Sequence, residues 1–147
     1  MDLTKGHPRS PRAQLAGYAH LPRMIDKCRA KLAGTIGEYV YPCSMDARLL
    51  EFAGVTAEQL TEAVRSHVAD NDVGDWFQRT ARPHSPVELA DWNQFLLTRG
   101  PETEEKRASF RTQRDRLDPS RTDITGWADL LDLEEGRHVP KRSTPSP

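Results

Sequence analysis

Apolar residues recur at helical spacing through most of the chain. Leu21, Met24, Ile25, Cys28 and Leu32 fall at i, i+3, i+4, i+7 and i+11, which makes one stripe of a helix predicted over about Leu21 to Ala33. Pro22 suits the first turn of that helix, and Gly34 suits the position just past its end. Arg23, Asp26, Lys27 and Ala30 fall on the other, outward side. From Thr35 to Tyr41 the period changes. Ile36, Glu38, Tyr39, Val40 and Tyr41 read as a short strand or hairpin arm around Gly37. One arm cannot make a sheet, so at most a short hairpin is expected near 35–41.

Further helices follow from start and stop signals. Ser44 is placed to cap a short helix to Ala53, with Gly54 as its stop and Met45, Leu49, Phe52 and Ala53 as its inner face. Thr56-Ala57-Glu58-Gln59 is a capping box, and the helix it opens is expected to bury Leu60, Val64 and Val68. Asp70-Asn71-Asp72 caps a segment carrying Val73, Trp76 and Phe77. Ser85-Pro86-Val87-Glu88 starts a helix to about Thr98, stopped by Gly100-Pro101, with Leu89, Ala90, Trp92, Leu96 and Leu97 inward. Glu102 to Leu117 has helical propensity but only Phe110 and Leu117 as large apolar residues, so it reads as a surface helix. Trp127, Leu130, Leu131 and Glu134 give a last short amphipathic segment ending at Gly136.

The expected architecture is all-α: five to seven short helices around one core, in a single domain over residues 1–136. A polar, Pro-rich tail at 137–147 is expected to be disordered. The 147 residues need neither disulfide nor metal to fold. Cys28 and Cys43 have no CxxC or Cys/His ladder around them, and the five histidines show no HxxxH or HExxH spacing, so neither a metal site nor a cofactor is expected. The N-terminal residues lack the apolar run of a signal peptide, and no stretch approaches the roughly 20 apolar residues of a membrane span. A cytoplasmic location without membrane partners is the expectation.

Charge is unevenly spread. Residues 1–34 hold seven Lys/Arg against Asp2 and Asp26, a net +5, and the remainder carries −6. A basic end attracts anions or docks on the acidic part of its own chain. The later arginines, Arg111, Arg114 and Arg116, are interleaved with acidic residues and have only Phe110 as an aromatic neighbour, which speaks against nucleic acid as a partner.

Several strings together resemble a known family. They are Asp2-Leu3-Thr4-Lys5, Pro8-Arg9-Ser10-Pro11-Arg12, Leu21-Pro22-Arg23-Met24-Ile25-Asp26-Lys27, Leu32-Ala33-Gly34, Gly37-Glu38-Tyr39, Cys43 with Asp46, Trp92-Asn93 and Leu130-Leu131-Asp132-Leu133-Glu134-Glu135-Gly136-Arg137. They are similar to the bacterial family catalogued as domain of unknown function 5069, over nearly the whole chain. The resemblance implies a bacterial cytoplasmic domain and carries over no activity and no catalytic residues. Ser44-Met45 departs from the family's pattern, in which an aromatic residue or a proline follows the cysteine.

Three features bear on chemistry. Asp26 lies three positions from both Arg23 and Arg29, a spacing that holds an arginine fork toward a phosphate or carboxylate, or makes only a surface ladder of ion pairs. Asn93 falls inside an apolar helix face, where its amide must be hydrogen-bonded, either to loop backbone from the N-terminal half or to a ligand stacked on Trp92. Cys43 precedes a helix start, where a thiol can become nucleophilic, or is an inert, buried or semi-buried cysteine; Asp46 opposes activation by its charge, and the fold must bring His7 or His20 near to assist. The resulting expectation is a non-enzymatic helical domain. It binds a protein partner or a small anionic ligand through its basic N-terminal third, using Arg9, Arg12, Arg23, Asp26, Lys27 and Asn93. The alternative is a small enzyme using Cys43 or an Asp/Arg pair.

Overall fold

The computed structural model describes residues 1–142. The protein is mainly helical, with a two-strand antiparallel hairpin and, among the described residues, seven helices. In chain order these are β1 (Gln14–Leu15), β2 (Tyr18–Ala19), α1 (Leu21–Leu32), α2 (Ser44–Ala53), α3 (Ala57–Ser66), α4 (Asp70–Thr80), α5 (Pro86–Thr98), α6 (Glu104–Leu117) and α7 (Trp127–Glu134). No helix among the described residues is long and apolar enough to cross a membrane. Contacts divide the chain into two compact units, Met1–Asn93 and the residues from Gln94 onward, with the division inside α5.

In the first unit the apolar stripe of α1 forms the centre of the core. Leu21, Met24, Ile25 and Cys28 are fully buried with Leu49 of α2, Leu60 of α3, and Val73 and Phe77 of α4. The Tyr18 ring meets Phe77 edge-on at 4.9 Å. The opposite side of α1 is not outward as expected. Arg23, Asp26, Lys27 and Ala30 are all buried, because residues 1–13 and the segment before α2 cover that face and bring polar partners to it. The helix is therefore enclosed on an apolar and a polar side.

The hairpin lies at residues 14–19, not near 35–41. Ala16 and Gly17 both adopt positive φ, the conformation that a two-residue turn between twisted strands demands. Asn93 of α5 fastens it: the Ala19 N–H donates to the Asn93 side-chain oxygen at 3.0 Å, and the Asn93 amide donates to the Gly17 carbonyl at 2.8 Å. Residues 35–41 form turns because their carbonyls are taken by the α1 lysines. Lys27 Nζ donates to the Val40 carbonyl at 3.0 Å and Lys31 Nζ to that of Tyr41 at 2.9 Å. A strand would need those acceptors for a neighbouring strand.

Three boundaries differ from expectation. Cys43, not Ser44, caps α2, with Asp46 completing its capping box. α3 ends at Ser66, which leaves Val68 96% exposed instead of buried. α4 has Ala69 at its cap position, with Asp70 inside the helix. The capping boxes at Thr56 and Ser85 form as the sequence predicts.

The second unit has its own small core of Phe110, Ile124, Leu130 and Val139, with Trp127 edge-on to Phe110 at 5.1 Å. Gly100 is required at its start: a Cβ there would lie 2.4 Å from the Thr125 carbonyl oxygen. α6 is a surface helix except at Phe110 and Arg114, whose guanidinium donates to the Ile124 carbonyl at 3.2 Å. Residues 137–142 pack onto this unit: Val139 is buried, and Arg142 forms a paired contact with Asp129, both bonds 3.0 Å. The rest of the expected tail, 143–147, lies outside the described residues.

The packing separates two valines that composition alone would treat alike. Val139→Ala is expected to cost about 2 kcal/mol of stability, from two lost methyl groups and the cavity they leave. Val68→Ala is expected to cost almost nothing, and denaturant unfolding of the two variants measures the difference.

Candidate functional site

The polar side of α1 and the N-terminus of α2 enclose a cluster of four side chains. The Asp46 carboxylate is at its centre, fully buried. One oxygen accepts from His20 Nε2 at 2.6 Å. The other accepts from Lys27 Nζ at 2.7 Å and from the Cys43 backbone N–H at 2.9 Å. Lys27 divides its three donors among Asp46, the Val40 carbonyl and Cys43 Sγ, the last at 3.2 Å. Cys43 Sγ also accepts from the Asp46 backbone N–H at 3.5 Å, the N-cap bond of α2. The sulfur thus faces two donors, one of them an ammonium, at a helix N-terminus. The Cys43 residue is half-buried, whereas His20, Lys27 and Asp46 are buried.

Local sequence explains each placement. Lys27 and Arg23 are one helical turn apart on α1, and Cys43 and Asp46 are the two members of one capping box. His20 sits at the cap position of α1 with φ 74°, a left-handed conformation that costs a non-glycine residue of order 1–2 kcal/mol. That backbone turns its ring into the cluster, where Nε2 reaches Asp46 and Nδ1 is buried without a hydrogen-bond partner.

Electrostatics fix the protonation pattern. Burial pushes the Asp46 carboxyl up, but the His20 hydrogen bond and the Lys27 charge outweigh it and hold Asp46 at about 2. Burial pushes the His20 imidazole down, against the opposing pull of Asp46, so the ring is neutral and donates through Nε2. Lys27 is the cation that balances the buried carboxylate.

His20, Cys43 and Asp46 also bring three potential metal-ligand atoms within 4.8 Å of one another. The Lys27 ammonium already contacts two of these residues, so a metal ion would have to displace a satisfied buried cation. The site is organised around a lysine.

The expected anion-binding residues are brought partly together, and most are engaged within the chain. Arg9 grips Asp26 through Nε and a terminal nitrogen, both at 3.0 Å, and reaches Asp70 at 2.7 Å. These carboxylates hold its guanidinium more firmly protonated than usual. The Arg9 backbone N–H also donates to Asp26, at 2.9 Å. Arg23 donates to the Arg9 carbonyl at 3.2 Å and lies over the Tyr39 ring. Arg29 takes the second Asp70 oxygen at 2.7 Å. Arg12 is exposed in the turn after Ser10, where its backbone N–H donates to the Ser10 hydroxyl at 3.1 Å. Asn93 holds the hairpin, and the Trp92 ring stacks on Phe52 at 4.4 Å. Of the two histidines considered beside Cys43, His20 joins the cluster, while His7 bonds the Tyr39 hydroxyl at 2.7 Å. His20 has no sequence motif with Cys43 and Asp46; its isolated position before Leu21-Pro22 was its only signal.

Asp46 is expected to dominate acid stability. Its carboxyl is lowered on folding from 3.8 to about 2, so its contribution is complete above about 3.8 and is lost as pH falls through about 2; the shift corresponds to roughly 2 kcal/mol. His20, lowered from 6.5, adds a separate loss as pH falls below 6.5. Asp46→Asn removes the lower transition. It also costs about 3–5 kcal/mol at neutral pH, because Lys27 is left buried without its counter-charge. Urea unfolding across pH reads both effects.

The amino-acid sequence matches the family model described as Domain of unknown function (DUF5069) over residues 5–137. Among curated proteins no match is found. His20, Lys27, Cys43 and Asp46 all fall inside the matched span, and the chain belongs to the DUF5069 family.

Proposed function

We propose that this protein is a thiol-dependent small enzyme or capture protein in which Cys43 is the nucleophile toward a small electrophile. One observation carries the reading: Cys43 Sγ accepts from Lys27 Nζ at 3.2 Å and from the Asp46 backbone N–H in the first turn of α2, so the sulfur is held in a polar, donor-lined position. Asp46 holds Lys27 in place and is itself held by His20. Lys27 and Asp46 are therefore positioning residues, and the sulfur forms the bond to the electrophile. Cys28 is buried in the core and takes no part. A reducing compartment, such as a bacterial cytoplasm, keeps the thiol available.

Binding of an anionic ligand or a protein partner by the basic N-terminal third has weaker support. Arg9, Arg29 and Lys27 each contact a carboxylate of the same chain, and Asn93 uses its amide on backbone. An arriving anion would compete with these carboxylates for the same donors.

Alkylation by iodoacetamide tests the thiol reading. Cys43 is expected to react at least about tenfold faster near neutral pH than a small-molecule thiol, and to lose that advantage in Lys27→Gln. Cys43→Ser is expected to abolish labelling of the native protein. A Cys43 rate no faster than that of the free thiol, unchanged by Lys27→Gln, overturns the reading.

A further inference from the structure

The Lys27–Cys43 contact has a second chemical possibility, which rests on the reading of Cys43 as a reactive thiol. Nζ and Sγ are 3.2 Å apart, in direct contact. Asp46 fixes the amine from one side, and Cys43 as a residue is only half-buried. Lysine nitrogen and cysteine sulfur at this separation can be joined by a single oxygen atom.

We propose that dioxygen converts this pair into a covalent N–O–S bridge that reversibly closes the thiol centre. The balance is complete. The cysteine thiolate, the lysine ammonium and one dioxygen give Cys43–S–O–NH–Lys27 and one water. The O–O bond breaks; one oxygen forms bonds to sulfur and nitrogen, and the other leaves as water with two of the ammonium protons. Sulfur and nitrogen are oxidised and dioxygen is reduced. Four electrons and four protons from a dithiol reductant restore the thiol and the amine and release the bridging oxygen as water.

The consequence extends to the buried ion pair, because Asp46 loses its counter-charge when Lys27 is bridged. The bridge removes the nucleophile and the positive charge together, and it ties α1 to the N-terminus of α2 across sixteen positions of sequence. It also leaves sulfur short of the irreversible sulfinic and sulfonic states, so the centre is protected as well as silenced. Lys27 is the basic residue of α1 whose nitrogen contacts the Cys43 sulfur, and this chemistry applies to that pair.

Intact-mass and peptide-mapping mass spectrometry of the full chain, held in oxygenated buffer without reductant, tests the proposal. The expected product is a gain of about 14 Da, one oxygen added and two hydrogens lost, mapped to a crosslink between Lys27 and Cys43. Excess dithiothreitol is expected to reverse it and to restore iodoacetamide labelling. Lys27→Arg and Cys43→Ser are expected to lack the product; if either variant fails to fold, the mapped wild-type crosslink still decides the matter. Oxidation of Cys43 alone, in steps of about 16 Da with no link to Lys27, overturns the bridge while leaving a reactive thiol in place. A Cys43 inert to both oxidant and iodoacetamide overturns the bridge and the nucleophile together.

Discussion

The buried pair of Asp46 and Lys27 is the constraint on which the first unit depends. A carboxylate and an ammonium removed from water are tolerated only when each is fully hydrogen-bonded, and here each is. Satisfying them draws four pieces of chain to one point: the turn before α1, the polar side of α1, the segment from Val40 to Cys43, and the first turn of α2. The apolar core supplies cohesion beneath, through Leu21, Met24, Ile25 and Leu49. The ion pair sets where the covering segments lie above it.

The same constraint produces the chemistry of the site. Asp46 is both the third residue of a capping box and the counter-ion of Lys27. A residue with those two duties necessarily brings the cap residue and the lysine together, and the cap residue is a cysteine. His20 completes the arrangement by accepting a strained backbone to reach the second carboxylate oxygen. Backbone strain is retained where surrounding contacts over-determine it, as the His20–Asp46 bond does here. Arg9 and Asp26 form a second organised pair alongside, with Asp70 and Arg29 extending it to α4. The +5 excess of the first 34 residues is thus partly neutralised by Asp46 and Asp70, carboxylates from later in the first unit.

Much of the fold was legible in the sequence because local rules governed it. The stripe from Leu21 to Cys28, the capping boxes at Thr56 and Ser85 and the stops at Gly34, Gly54 and Gly136 appear where periodicity and cap chemistry place them, while Leu32 at the end of the stripe is exposed. What escaped was non-local. Arg23, Asp26 and Lys27 have the pattern of a solvated face, and only chain from residues 9 and 40–46 encloses them. The segment 35–41 has strand-like composition, but the lysines of α1 claim its carbonyls. Asn93 was recognisable as a polar residue that needs a partner, and its partner is the hairpin backbone. The candidate site was half visible. Cys43 at a helix start and Asp46 in the same first turn are local signals, whereas the contacts of His20 and Lys27 with them depend on folding.

Lys27 and Asp46 act as one unit. A double-mutant cycle of Lys27→Met and Asp46→Asn, read by urea unfolding at neutral pH, measures this. Strong coupling is expected: each single change strands a buried polar or charged group, and the double variant loses less stability than the sum of the two, by about 1–3 kcal/mol. Losses that simply add would contradict it, because the two side chains would then be stabilised independently.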